Sequence, residues 1–348
     1  MTPNPKTKAK TRSSREQLLP PVSGRWCVRW TGRWTSRVEP PPPSAQLTPT
    51  GWLVNDINTV PLQGPVMTDK PAAPALVSPS SPPARVRLSY VEKISEQLST
   101  RDIAVMDTVH QLRLATGTQL ERLHFTHLAD TCRSRVRRRV LNRLVTWRVL
   151  TTLPRRIGGI RAGSAGLIYA LDTAGAWLMR HHATATGQHA PRRATQPGLA
   201  FTAHTLAVTE LYVQLVERAR TGAFHIAAFD AEPACWWPDD IGGHLKPDAY
   251  ALLAAHSYQD AWWIEVDQAT ETLPRLKKKL HTYLNFQERG GIGPAGVLPR
   301  VLITTPTAQR CTTLTDLITA LPPPAEQLFH AVLHQGAVDL LIHTLTQP

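Results

Sequence analysis

The chain has 348 residues, 42% of them hydrophobic, and a formal net charge of +13, so it has room for two modest domains and points to a polyanionic partner. Its four cysteines (Cys27, Cys132, Cys235, Cys311) are far apart with no C-x-x-C pair, which argues against a disulfide framework or a zinc site. No uninterrupted apolar run reaches the roughly 20 residues of a bilayer span, and the basic N-terminus lacks an apolar signal core; a cytoplasmic protein with no membrane partner is expected.

Residues 1–90 read as a disordered leader. "EPPPPS" and "KPAAPALVSPSSPPA" are rich in Pro and Ser, with too few periodic apolar positions to offset the entropy of ordering. Met67 is an alternative start, which would make the preceding residues dispensable for folding.

Order is expected over 95–182. "STRD" from Ser99 to Asp102 is a capping box, followed by Ile103, Met106, Val109 and Leu112 at helical spacing. Thr116-Gly117 breaks that helix and "TQLERLHF" makes a second. A third runs from about Thr131 to Trp147, then β-branched runs flank a Gly-rich tip in "VLTTLPRRIGGIRAGSAGLIYALD". Three helices and a two-stranded wing are the order of a winged helix-turn-helix.

Between Thr131 and Arg161 the chain carries arginines at 133, 135, 137, 138, 139, 143, 148, 155, 156 and 161 and no acid. Projected at 100° per residue, Val136, Val140, Leu141 and Leu144 fall on one side of the third helix. Arg135, Arg138, Arg139 and Asn142 fall on the other, with Ser134 at the edge. Arg137 lies in the apolar sector and must snorkel or reach phosphate. A solvated face normally mixes signs, so this one predicts double-stranded DNA as partner. Arg and Asn can read guanine and adenine edges; Arg133 and Arg143 join the basic set, and Arg155, Arg156 and Arg161 on the wing would follow the backbone. The Gly-rich tip lacks the Gly-Lys-Ser/Thr ending of a nucleotide P-loop.

After a linker at 183–200, residues 201–340 read helix, three strands ("FHIAAF", "DAYALLAA", "WWIEVD"), helix, strand ("RVLITT") and helix. That αβββαβ order is the core of a restriction-endonuclease-like fold, making the whole an α+β or α/β two-domain protein. In such a fold Asp248 and Glu265 would hold Mg²⁺, with Glu210 on the first helix as a third oxygen ligand. Alternation puts Glu265 and Asp267 on one face of their strand, opposite Ile264 and Val266. Asp267 stands where working nucleases of this fold keep a lysine, and a carboxylate has the wrong sign for that role. Lysine can migrate to the next helix, where Lys277 and Lys279 flank the buried side and Lys278 points outward. Catalytic candidates are therefore Asp248, Glu265, Asp267, Lys277 and Lys279.

The segments "LSTRDIAVMDTVHQLRLATGTQLERLHF", "RRRVLNRLV", "RRIGGIRAGSAG", "HTLAVTELYV", "EPACWW", "LKPDAY" and "WWIEVDQATETLPRLKKKL" together resemble the replication-relaxation family of actinobacterial plasmids and integrated elements. The resemblance covers about residues 95–335 and implies a role in plasmid replication or DNA relaxation beside replication or transfer proteins. The family pattern itself carries Glu-Val-Asp, which favours a site retained without ordinary cleavage. Three functions follow: a DNA-binding accessory factor, a Mg²⁺-dependent nickase targeted by the winged helix, or a transcriptional regulator of a mobile element.

Overall fold

A computed structural model describes residues 37–38, 86–153, 166–186, 198–256 and 258–346. The architecture is mixed α+β. After strand β1 (Arg37–Val38), the first unit comprises α1 (Leu88–Ser95), α2 (Thr100–Leu112), β2 (Ala115–Thr116), α3 (Gly117–His124), α4 (Asp130–Thr146), β3 (Leu150–Leu153), β4 (Ile168–Leu171) and α5 (Thr173–Thr186). Both short helices begin on reciprocal caps. Ser99 and Asp102 exchange side-chain and backbone hydrogen bonds at α2, and Thr116 and Gln119 do so at α3, satisfying donors that a helix start leaves orphaned. The inward stripe of α2, α3 and α4 is buried in one cluster with Phe125 and the strands β3 and β4. The strands form an antiparallel sheet in the order β2-β4-β3. The Gly-rich tip between β3 and β4, with Arg155, Arg156 and Arg161, lies outside the described residues.

The second unit starts with α6 (Leu199–Ala219) and β5 (His225–Ala231), followed by the small hairpin β6 (Trp237–Pro238) and β7 (His244–Leu245). The chain continues through β8 (Ala249–Ala255), β9 (Tyr258–Val266), α7 (Leu273–Glu288), β10 (Arg300–Thr305) and α8 (Ala308–Thr319). It closes with α9 (Ala325–Leu328), β11 (Phe329–Leu333) and α10 (Ala337–Thr346). Strands β5, β8 and β9 are antiparallel neighbours; β10 and β11 then add in parallel, in the order β11-β10-β9-β8-β5. Strand β9 is central and alternates as expected. Trp262, Ile264 and Val266 pack with α6 and α10 on one face, while Trp263 packs with α7 and α8 on the other. Both tryptophans are fully buried, and each removes on the order of 200 Å² from water, about 5 kcal/mol at 25 cal/mol per Å².

Several features depart from the sequence expectations. Within the stretch read as an unstructured leader, Arg37 and Val38 pair antiparallel with Asp260 and Gln259 of β9, and residues 88–90 already belong to α1. The stretch read as a linker is partly helical, because α5 continues through Thr186. Strand β11, helix α10 and the β6–β7 hairpin complete the second unit and had not been expected. Among the described residues α6, with 21 residues, is by length and composition long and apolar enough to cross a bilayer. In the folded chain it packs instead between the two units. Phe201 and Leu206 cover Leu114, Leu153, Ile168 and Ala170 of the first unit, and Thr209 Oγ1 donates to the Leu114 carbonyl at 2.7 Å.

Candidate functional site

Helix α4 sorts its arginines into two sets. Arg137 is 4% exposed and pairs with Glu121 of α3 at 3.0 Å. Arg133 pairs with Asp130 at 2.7 Å and donates to the Leu128 carbonyl. Arg143 reaches both oxygens of the fully buried Asp102 at 2.7 and 2.6 Å, so the acid that caps α2 also holds α4 in place. Arg148, just beyond the helix, pairs with Asp172 at 3.1 Å. The second set, Arg135, Arg138 and Arg139, is exposed together with Asn142, and among the described residues none of these three arginines has an acid partner. Arg138 spends its Nε on the Ser134 carbonyl at 3.2 Å. Ser134, also exposed, is tied by its hydroxyl to Glu121 at 3.1 Å.

In the second unit the acids meet behind the central strand. Asp248 immediately precedes β8, and its Oδ2 accepts the Val266 N–H of β9 at 2.7 Å, which brings its carboxylate beside Glu265. Glu265 is 3% exposed. One of its oxygens accepts from the Tyr283 hydroxyl at 2.5 Å and the other from the Lys279 ammonium. Lys279 Nζ also lies 4.0 Å from Asp248 Oδ1, and His204 of α6 reaches the same oxygen at 3.2 Å. Two carboxylates are thus closed by one ammonium, one phenol and one imidazole.

The electrostatics follow from burial and these partners. Burial pushes the Glu265 carboxyl up to about 8, against the opposing Lys279 ammonium, and Asp248 adds to the rise. Asp248 is held below the ordinary carboxylate value, because His204, Lys279 and the Val266 N–H together outweigh its burial. The hydrogen bond to Asp248 raises the His204 imidazole. Lys279 is raised as well, since Glu265 and Asp248 outweigh its desolvation. Burial, and then Glu265, drive the Tyr283 hydroxyl well up.

Residues 106–301, more than half of the chain, match the family described as replication-relaxation. The chain belongs to the replication-relaxation family. The match runs from Met106 in α2 to Val301 in β10 and so spans both α4 and the acid pair. Membership suggests a role in plasmid replication or relaxation. No curated protein and no solved structure matches the chain.

Within this replication-relaxation protein the sequence-derived site residues separate clearly. Asp248, Glu265 and Lys279 come together. Lys277 does not join them; it is exposed, like Lys278. Asp267 turns away to a separate ion pair with Arg310 at 2.6 Å, and its Oδ1 accepts the Ala269 N–H in the turn that ends β9. Glu210 is also misplaced as a metal ligand: it lies beside α3, where Arg122 at 2.6 Å and Gln119 at 3.1 Å hold it. On α6 it is His204, not Glu210, that reaches the acids. Arg137 neither snorkels nor faces outward, because Glu121 meets it inside.

His204, Tyr283 and Arg310 were missed. The spacing of Tyr283 from Leu276 and Leu280 puts it on the buried side of α7, yet nothing local to it announces that its hydroxyl meets a carboxylate. Among the described residues no group of three His, Cys, Asp or Glu side chains could hold a metal ion. Each of the four carboxylate oxygens of Asp248 and Glu265 already accepts from a protein donor. Mg²⁺ binds oxygens at about 2.0–2.1 Å in an octahedral shell, so an ion shared by the two acids would have to displace Lys279. As arranged, these residues do not fit Mg²⁺.

Proposed function

We propose that the protein is a cytoplasmic DNA-binding accessory factor of plasmid or mobile-element replication and relaxation. It docks on double-stranded DNA through a winged helix-turn-helix whose recognition helix is α4. The observation that carries this reading is the exposed face of Arg135, Arg138, Arg139 and Asn142. The other described arginines of the basic stretch are each tied to a carboxylate, and these three are left to repel one another. A duplex, with one negative charge per 1.7 Å of axis, neutralises such a face and releases counterions on binding. Arg155, Arg156 and Arg161, between β3 and β4, would extend the contact along the backbone. The second unit, in a restriction-endonuclease-like arrangement, would serve as a scaffold for replication or transfer proteins.

The test is a mobility-shift titration over a series of salt concentrations. Replacing Arg135, Arg138 and Arg139 together by Ala should flatten the dependence of log K on log salt by about two to three units, near 0.9 per lost phosphate contact. Affinity and slope equal to those of the parent protein would remove α4 as the docking helix.

A Mg²⁺-dependent nickase targeted by the same helix keeps one observation in its favour. Lys279 reaches Glu265 from α7, supplying in space the lysine that Asp267 displaces from the strand. Mg²⁺-dependent relaxation of supercoiled plasmid by the purified chain, lost in Lys279→Met under conditions where circular dichroism shows that variant folded, would establish that reading over the scaffold one.

A further inference from the structure

We propose that α4 reads two base pairs in the major groove about three steps apart, Arg135 taking a guanine and Asn142 an adenine, with Arg138 and Arg139 on flanking phosphates. This inference rests on the docking helix proposed above. At 100° per residue the four side chains occupy an arc of roughly 100°, with Arg135 and Asn142 near its middle and Arg138 and Arg139 at opposite margins. The central pair is seven residues apart, about 10 Å along the axis at 1.5 Å per residue, which matches three steps of about 3.4 Å.

The chemistry divides in the same way. A planar guanidinium fits guanine O6 and N7, and a carboxamide fits adenine N6 and N7. Among the described residues the Asn142 carboxamide has no hydrogen-bond partner. The nearby Thr146 hydroxyl instead donates to the Asn142 backbone carbonyl at 2.9 Å. Arg138 is drawn along the helix margin by its bond to the Ser134 carbonyl, which leaves its terminal nitrogens for a phosphate. Arg133, Arg137 and Arg143 are committed to Asp130, Glu121 and Asp102, so the reading set on this helix is small and defined.

The experiment selects duplexes from a random library with the full chain and then measures affinity on the enriched sequence. The parent chain should enrich a guanine and an adenine three base pairs apart. Asn142→Ala should relax the adenine position alone and Arg135→Ala the guanine position alone, each removing about tenfold to hundredfold discrimination. Arg138→Ala and Arg139→Ala should weaken every sequence alike. Replacing each purine in the enriched duplex by its 7-deaza analogue deletes the major-groove N7 acceptor and needs no protein variant; it should weaken the parent chain. An enriched motif unchanged in both central variants, or 7-deaza duplexes bound as well as the natural one, overturns the inference while leaving DNA docking intact. Failure to bind any duplex at low salt overturns the docking reading instead.

Discussion

Two runs of three like charges, Arg137-Arg138-Arg139 on α4 and Lys277-Lys278-Lys279 on α7, meet the same geometric demand. Three consecutive residues sweep about 200° of a helix, so an amphipathic helix must turn one of them inward. In both runs one member does turn inward and meets a carboxylate. Arg137 meets Glu121, a single acid at 19% exposure that also takes the Ser134 hydroxyl. Lys279 meets Glu265, itself almost wholly buried, and lies near Asp248 besides. One acid for one cation makes a neutral latch between two helices. Two acids for one cation leave a surplus of negative charge in the interior, so the centre's charge depends on a proton. The same local pattern therefore yields a fastening in one unit and a titratable centre in the other.

The largest expected effect strains the second case. Lys279→Met removes the one ammonium beside two buried acids and should cost about 3–5 kcal/mol in denaturant unfolding above about pH 8, where Glu265 is ionised. The loss should shrink toward neutral and lower pH, where Glu265 holds a proton. A cost below 1 kcal/mol would mean that the acids were never buried together. Arg137→Met should cost less, about 1–3 kcal/mol, since Glu121 keeps Ser134 and some water. If it matches Lys279→Met, the contrast between the two runs fails.

The last effect is a slope, gentle over any one pH unit. Glu265 binds its proton more tightly in the folded chain, so its stabilising contribution is complete below its ordinary value of 4.5 and is lost as pH climbs toward about 8. His204, also raised, acts in the same direction, while the depressed Asp248 withdraws stability only as pH falls below 3.8. Unfolding free energy should therefore decline between pH 5 and 8, by at most about 1.4 kcal/mol per pH unit for one group. In Glu265→Gln the decline should be shallower; an unchanged slope would assign it to other residues.

What could be read from the sequence follows the range of the interactions. Helices α2 and α4, and the inward stripe of α7, were legible because caps and 3.6-residue periodicity are local. So was the alternation of β9, and with it the opposition of Glu265 to Ile264 and Val266. Strand β11 and helix α10 were not, because a parallel strand finds its neighbour through long-range pairing that leaves no short signature. At the site, projection could say that Lys279 flanks the buried side but not what it would meet there. It left Glu210 on a plausible face of α6 while Arg122 from another helix claimed it. A single histidine on an apolar helix, such as His204, carries no signal until the fold supplies Asp248.

Helix α6 also bears on how the molecule could be dissected. One stretch of it covers Leu114, Leu153, Ile168 and Ala170 and anchors Arg122 through Glu210 and Glu217, and its first turns deliver His204 to the acid centre. The natural cut for an independent fragment of the first unit therefore falls after α6, beyond Arg220, whose guanidinium caps the Arg122 and Leu123 carbonyls of α3. A fragment ended at α5 would bare an apolar seam to solvent, whereas the cut after α6 takes from the remaining piece the imidazole over Asp248. Any rearrangement of modules would have to carry this helix with either half, which binds the two units into one piece.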